Sequence, residues 1–303
     1  MKSKKLKKIL IVGLGPMGRS HFLSFYKKNY LIELCDKKTS ILPLKKYQND
    51  NKIRFLKSIP KNQTYDLVIV STNSKERLSI IKDLLKKNQI KYLLLEKFIF
   101  PKIEDFYIFS KLVKKYNVKN IRVNTWGSFL VDNLNMKKLI NKNVNIVCKL
   151  VKGSLGTNIL HILDLFCALT KKKEIFFLEK PVKIIKSKRK GYHEIDAELV
   201  VYNKNGVIKI SADSNKKYHI LDIQNNNDNY YIHVNKSLMC TLYKNQTKRK
   251  SINFPFAKNF TEPFFKKCIK KKENFKNYDI ISKISTEVLN FVNNKTKRNI
   301  LLT

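Results

Sequence analysis

The chain has 303 residues, enough for one or two substantial cores, and its 43% hydrophobic content excludes a disordered polar chain. Its 63 Lys and Arg against 23 Asp and Glu give a net charge of +40. The lysines spread over every segment with no basic arm, zinc finger or RNP-like strand, so small anionic ligands are expected and specific nucleic-acid binding is not. No apolar run approaches the roughly 20 residues of a membrane span, and the basic start runs into a strand, not a signal peptide. Five scattered cysteines without a CxxC pair fit a reducing cytoplasm and offer no structural zinc site.

The first 120 residues alternate strands with helices. Strands are predicted over 9–12, 31–35, 53–55, 65–70 and 92–95, and helices over 20–28, 76–87 and 103–115. This alternation predicts an α/β fold with a doubly wound parallel sheet.

The first strand runs into Gly13-Leu14-Gly15-Pro16-Met17-Gly18. Gly13 permits a tight turn, Gly15 leaves room for a pyrophosphate against the backbone, and Gly18 lets the helix pack on the strand. Free N–H groups at the helix start then face the phosphates. Asp36 follows 18 residues after Gly18, at the end of the second strand, where a carboxylate accepts from ribose hydroxyls. That favours NAD. Lys37 and Lys38 could pair with a 2′-phosphate, which keeps NADP as the alternative.

Two more turns follow strands at ends where open sheets bind ligands: Ser71-Thr72-Asn73-Ser74, and Glu96-Lys97. A charged pair directly after the buried run 92–95 needs solvent or a polar partner. It reads either as a surface ion pair or as a lysine beside the nicotinamide.

From residue 121 to 303 the pattern becomes α+β, with a large, open, mostly antiparallel sheet. A linking strand is expected at 121–124 and a helix over 134–140. Strands are expected over 144–151, 182–187, 194–202, 207–212, 219–224, 230–234 and 238–243. Further helices are expected over 158–169, 261–272 and 280–292. Asn158, His161 and Asp164 fall on one helical stripe. Such a histidine is either a hydrogen-bonded, half-buried residue or a proton carrier whose tautomer the carboxylate fixes. Two good ligands plus an amide are too few for zinc. Arg122 and Trp126 lie near the junction, where the indole is either a core residue or a platform for a sugar ring.

The chain resembles the Gfo/Idh/MocA oxidoreductases (glucose-fructose oxidoreductase and inositol dehydrogenase) over nearly its whole length. The likeness rests on the opening from Ile11 to His21, Val70-Ser71-Thr72-Asn73, Leu95-Glu96-Lys97-Phe98, the run from Gly156 to Leu165, and the turn from Lys188 to Tyr192. It implies a Rossmann domain followed by an α/β domain whose sheet mediates homodimers or homotetramers. It also implies hydride transfer between a nicotinamide and a carbinol or ketone carbon of a sugar, cyclitol or sugar nucleotide. Lys97 would touch the reacting hydroxyl and the cofactor ribose, and His161 would serve as acid or base. Glu96, Asn158, Asp164, Thr157, Trp126 and Arg122 would support the site or bind substrate. Gly13 to Gly18, Asp36, Lys37, Ser71, Thr72, Asn73 and Arg77 would join Glu96 and Lys97 around the cofactor.

Asn73 and Phe98 replace family prolines, which would reposition the loop after Lys97, and Arg77 replaces a common histidine. Thr157 stands where many members carry an aspartate, so neither it nor Asn158 can be a carboxylate base. Proton transfer would then rest on His161 and Lys97, with Asp164 as orienter. The alternative is a nicotinamide-binding protein with a non-redox, regulatory or assembly role.

Overall fold

The computed structural model describes residues 6–37, 44–138, 143–178, 180–214, 220–225, 228–234, 239–270, 276–297 and 299–302. Within this range, strands β1 (Lys7–Val12), β2 (Tyr30–Cys35), β3 (Ile53–Leu56), β4 (Thr64–Val70), β5 (Gln89–Leu95) and β6 (Asn120–Val123) form one parallel sheet. Their order is β3-β2-β1-β4-β5-β6, the doubly wound arrangement whose direction reverses between β1 and β4. Helices α1 (Pro16–Phe25), α2 (Ser74–Lys87) and α3 (Ile103–Lys115) connect the strands. The near-continuous apolar strands, such as Ile9 to Val12 and Leu67 to Val70, are buried, as a sheet covered on both faces requires.

The chain forms two compact units. One comprises 1–100, 104–124 and 256–279, and the other 101–103, 125–255 and 280–303. The segment read as a linking strand is instead β6, paired in parallel with β5 from Tyr92↔Asn120 to Leu95↔Val123. Helix α6 (Ala257–Ile269) returns to the first unit, where it packs on α1.

In the second unit, β7 (Val144–Val151), β8 (Phe176–Phe177), β11 (Leu199–Asn203), β12 (Gly206–Ser214), β13 (Ile220–Asn225), β14 (Asp228–Val234), β15 (Met239–Lys244) and β16 (Thr247–Asn253) form an eight-stranded sheet. Its order is β16-β15-β14-β13-β7-β12-β11-β8, and of these pairings only β7 with β12 is parallel. Along β7, Val144, Ile146, Cys148 and Leu150 are buried while Asn145, Val147 and Lys149 are exposed. This period of two gives the sheet one covered face and one open face. Helix α5 (Leu155–Thr170) packs on β7 and β12. Helix α7 (Tyr278–Thr296) closes the chain.

Four expectations need correction. The helix expected over 134–140 lies earlier, as α4 (Gly127–Asn133) followed by a 3-10 turn at Met136–Lys138. Its first turn is tied by Asp164 of α5, which accepts from Ser128 N–H at 2.8 Å and from its hydroxyl at 3.0 Å. A cap borrowed from another helix leaves no local start signal. The single strand expected over 194–202 is two strands. β10 (His193–Asp196) pairs with β9 (Lys183–Lys186) in a separate two-stranded sheet, whereas β11 joins the large one. Strand β16 was not expected, because Thr-Lys-Arg-Lys-Ser-Ile-Asn lacks apolar alternation. It is an edge strand, and its lysines suit that position. The helix expected to begin at residue 20 begins at Pro16, directly after the glycine turn. Lys38, His219, Leu238 and residues 139–140 and 271–272, which entered those expectations, lie outside the described residues. Among the described residues no helix is long and apolar enough to cross a membrane.

Candidate active site

In the first unit the predicted cofactor residues gather at the carboxyl ends of β1, β2, β4 and β5. Gly13 has φ +90°, and a Cβ there would meet Thr72 at 2.8 Å. Gly18 lies against Gly13, whose carbonyl oxygen would be 1.9 Å from an added Cβ. A Cβ on Gly15 would meet nothing within 4 Å. The loop therefore has two tight positions and one open one, and the open one lies at the N-cap of α1. No side chain caps that helix end, and Pro16 occupies its first turn. Leu14 is buried in the turn, while Pro16 and Met17 are exposed.

Asp36 is joined to this turn: Leu14 N–H donates to its Oδ2 at 2.6 Å. Lys37 beside it is exposed. On the other side Ser71 Oγ donates to the Gly13 carbonyl at 2.7 Å, which fastens the turn after β4 to the glycine loop. Thr72 Oγ1 is buried there without a hydrogen-bond partner, and exposed Asn73 occupies the N-cap position of α2.

Arg77, read as a cofactor-side residue, lies between the turn after β4 and the loop after β5. It is 2% exposed, and its guanidinium is turned onto main-chain carbonyls. Nη1 donates to the carbonyls of Glu96, Phe98 and Ile99, and Nη2 to that of Thr72. One planar donor fork thus joins the turn after β4 to the loop carrying Lys97. The Lys97–Phe98 peptide is cis and Lys97 is half-buried.

Glu96 is buried in a network that sequence reasoning missed. His21 Nε2 lies 2.7 Å from its Oε1, and Asn124 Nδ2 donates to the same oxygen at 2.6 Å. The other ring nitrogen of His21 lies 2.8 Å from Thr261 Oγ1. Burial opposes ionisation of Glu96. The hydrogen bonds from His21 and Asn124, with the charges of His21 and Arg77, outweigh it and hold the carboxyl below the usual range. His21 stood in the opening motif, but Thr261 is 240 positions away. Arg122 is also buried. Its guanidinium stacks 4.2 Å from the Phe264 ring of α6.

In the second unit, Trp126, Thr157, Asn158, His161 and Asp164 come together where α4 meets α5. Trp126 N–H donates to His161 Nδ1 at 3.2 Å, and the two rings stack with centroids 4.9 Å apart. Nδ1 is thus the acceptor, and in the neutral ring the proton resides on Nε2. A main-chain N–H thus sets the tautomer, and Asp164 Oδ2 accepts from Ser128. Asn158 Nδ2 donates to the Ser154 carbonyl at 2.9 Å and steadies the first turn of α5. Thr157 meets Glu194 of β10, a residue outside the predicted set, through both its N–H and its hydroxyl.

No protein-family model matches the sequence, and no curated protein is similar to it. Solved structures are similar in fold. The UDP-N-acetylglucosamine 3-dehydrogenase GnnA from Acidithiobacillus ferrooxidans aligns with a TM-score of 0.67 at 10% identity, covering 95% of this chain and 97% of that one. The dehydrogenase MviM from Clostridium difficile gives 0.65 at 14% identity, over 94% and 99% of the two chains. An oxidoreductase from Agrobacterium radiobacter, solved with NAD+, L-tartaric acid and magnesium, gives 0.67 at 11% identity over 94% of each. The resemblance read from the sequence therefore holds at the level of architecture: the chain has the two-part fold of the Gfo/Idh/MocA-type dehydrogenases.

Proposed function

We propose that this protein is a nicotinamide-dependent oxidoreductase acting on a carbinol or ketone carbon of a sugar, cyclitol or sugar nucleotide. The carrying observation is the glycine turn at the reversal point of the parallel sheet. It has open space at Gly15, an uncapped helix start behind it, and the Asp36 carboxylate fastened beside it. That is a cradle for a pyrophosphate with an acceptor for ribose hydroxyls. A carboxylate there repels a 2′-phosphate, which favours NAD over NADP.

A bound nicotinamide supplies the hydride acceptor or donor. The chain binds, orients and moves a proton. Lys97, on the loop clamped by Arg77, donates to the reacting oxygen and to the cofactor ribose. His161 serves as the acid or base, and the Trp126 N–H that donates to its Nδ1 must release that nitrogen when the ring takes its second proton. The open face of the eight-stranded sheet, with Val147 exposed on β7, is the surface for homodimers or homotetramers in this reading.

The test is calorimetric titration with NAD+, NADH, NADP+ and NADPH at low and physiological salt. Tight, salt-tolerant binding of one oxidised–reduced pair is expected. Absence of binding, or weak binding of all four that fades with salt, would refute the reading, because bulk charge alone produces the latter.

A further inference from the structure

We infer that Arg19 is a cofactor-binding residue of the first unit's site, the side-chain cation that meets the pyrophosphate of the dinucleotide. The inference rests on the reading of the glycine turn as a nucleotide cradle and adds a residue to that same site. Arg19 directly follows Gly18 in α1, one helical turn past the N-cap residue Gly15, and it is half-buried. Side chains on a helix lean toward its start. The guanidinium accordingly reaches back to the turn, where Nη1 donates to the Leu14 carbonyl at 3.4 Å. That carbonyl belongs to the peptide joining Leu14 to Gly15, so the guanidinium stands one peptide away from the open position of the loop. Leu14 is thereby held from two sides, its N–H by Asp36 and its carbonyl by Arg19.

Fold stability does not account for a cation at this place. The start of a helix is its positive end, where acidic groups are favoured and basic ones are not. The first turn of α1 holds no acidic residue, and no side chain caps it. Among the described residues Arg19 makes no ion pair, and the bond to Leu14 is its one side-chain hydrogen bond, near the upper limit of length. A lysine-rich composition does not explain it either, since only seven of the 63 basic residues are arginines. A side chain that breaks a local rule without a structural return is expected at a binding site.

The chemistry of the turn selects a phosphate as the partner. Pro16 occupies the first helical position and has no N–H, so the helix start offers one main-chain donor fewer to an anion. A guanidinium supplies several donors in a planar fork that matches phosphate oxygens. The side of α1 that carries Arg19 is also the adenosine side. Tyr26, two turns further along that face, packs on Tyr47 of the segment after β2, with ring centroids 4.5 Å apart. Asp36, at the end of β2, meets the ribose hydroxyls in this reading, and its carboxylate opposes a second phosphate there. The guanidinium on the far side of Leu14 therefore serves the pyrophosphate, which every adenine dinucleotide shares with ADP, and not a 2′-phosphate.

The test is calorimetric titration of the full chain with NAD+, NADP+ and ADP at physiological salt, in wild type, R19A and R19K. K82A, a change at an exposed lysine in the middle of α2, controls for the loss of one positive charge. R19A should weaken NAD+ and ADP by the same factor, about tenfold to a hundredfold, as for one charged hydrogen bond to phosphate. R19K should recover part of that loss, K82A should bind as wild type does, and thermal melts of R19A should match wild type. Should R19A fail to fold, R19Q decides, since it keeps the stem and a donor without the charge. Unchanged NAD+ and ADP affinity in R19A would overturn the inference. So would a loss confined to NADP+, which would move Arg19 to a 2′-phosphate, or equal losses in R19A and K82A, which would reduce it to bulk charge. A wild type that binds no nucleotide would overturn the oxidoreductase reading and this inference with it. A wild type that binds NAD+ no better than R19A does would overturn this inference alone.

Discussion

Replacing Gly15 and Gly18 separately by alanine should divide binding from stability within one loop. In an ordinary helix, Gly→Ala stabilises by about 1 kcal/mol. At Gly18 the new Cβ would lie 1.9 Å from the Gly13 carbonyl oxygen, whereas real Cβ contacts essentially never fall under 3.0 Å. The obstacle is backbone at a residue with φ +90°, so relief requires α1 to lift from the strand end. Overpacking of this kind costs about 1–3 kcal/mol, and it opposes the propensity gain. We expect G18A to lose about 1–2 kcal/mol net, a fall of a few degrees in Tm. G15A should leave Tm within about 1 °C, since its Cβ meets nothing within 4 Å and the backbone there has φ −61°. It should nevertheless weaken NAD affinity at least about tenfold, because the methyl occupies the approach of the pyrophosphate. Thermal melts and calorimetric titrations of the two variants provide the assay. A G18A protein as stable as wild type would refute the close-packing argument. A G15A protein that binds NAD normally would refute the cradle.

Further outcomes follow from the same geometry. K97A should cut turnover about 100-fold or more while leaving nucleotide affinity nearly intact; unchanged turnover would remove Lys97 from the chemistry, and H161N should erase one limb of the pH–rate profile. R77A should cost about 2–4 kcal/mol in a urea melt, since four buried carbonyls lose a charged donor, and R77K should restore less than half because an ammonium cannot span them. Glu96 has its carboxyl held below the usual range, so its contribution is complete above the unfolded carboxylate pKa of about 4.3 and is lost as pH falls through the lower folded value. E96Q should flatten that acid-side loss in melts followed from pH 6 downward, and an unchanged slope would show that the His21 contact contributes nothing.

The sequence by itself determined the first unit's strands and helices and the glycine loop with Asp36. These depend on short-range patterns: buried apolar runs, a turn that only glycine satisfies, and a helix beginning directly behind it. It also placed His161 and Asp164 on one helix, because residue spacing on a helix is fixed by geometry. Tertiary structure alone decided what those side chains do. Arg77 looked like a cofactor ligand, but its partners are carbonyls of a loop some 20 residues on, reached only after β4 and β5 pair. Asp164, read as the orienter of His161, caps α4 through Ser128, which is why that helix was displaced in the reading. The His21–Glu96–Asn124–Thr261 network and the Glu194–Thr157 contact join residues separated by as many as 240 positions. Local propensity has no access to such pairs: they form where packing removes water, and a buried polar group then takes whichever partner the fold brings within reach.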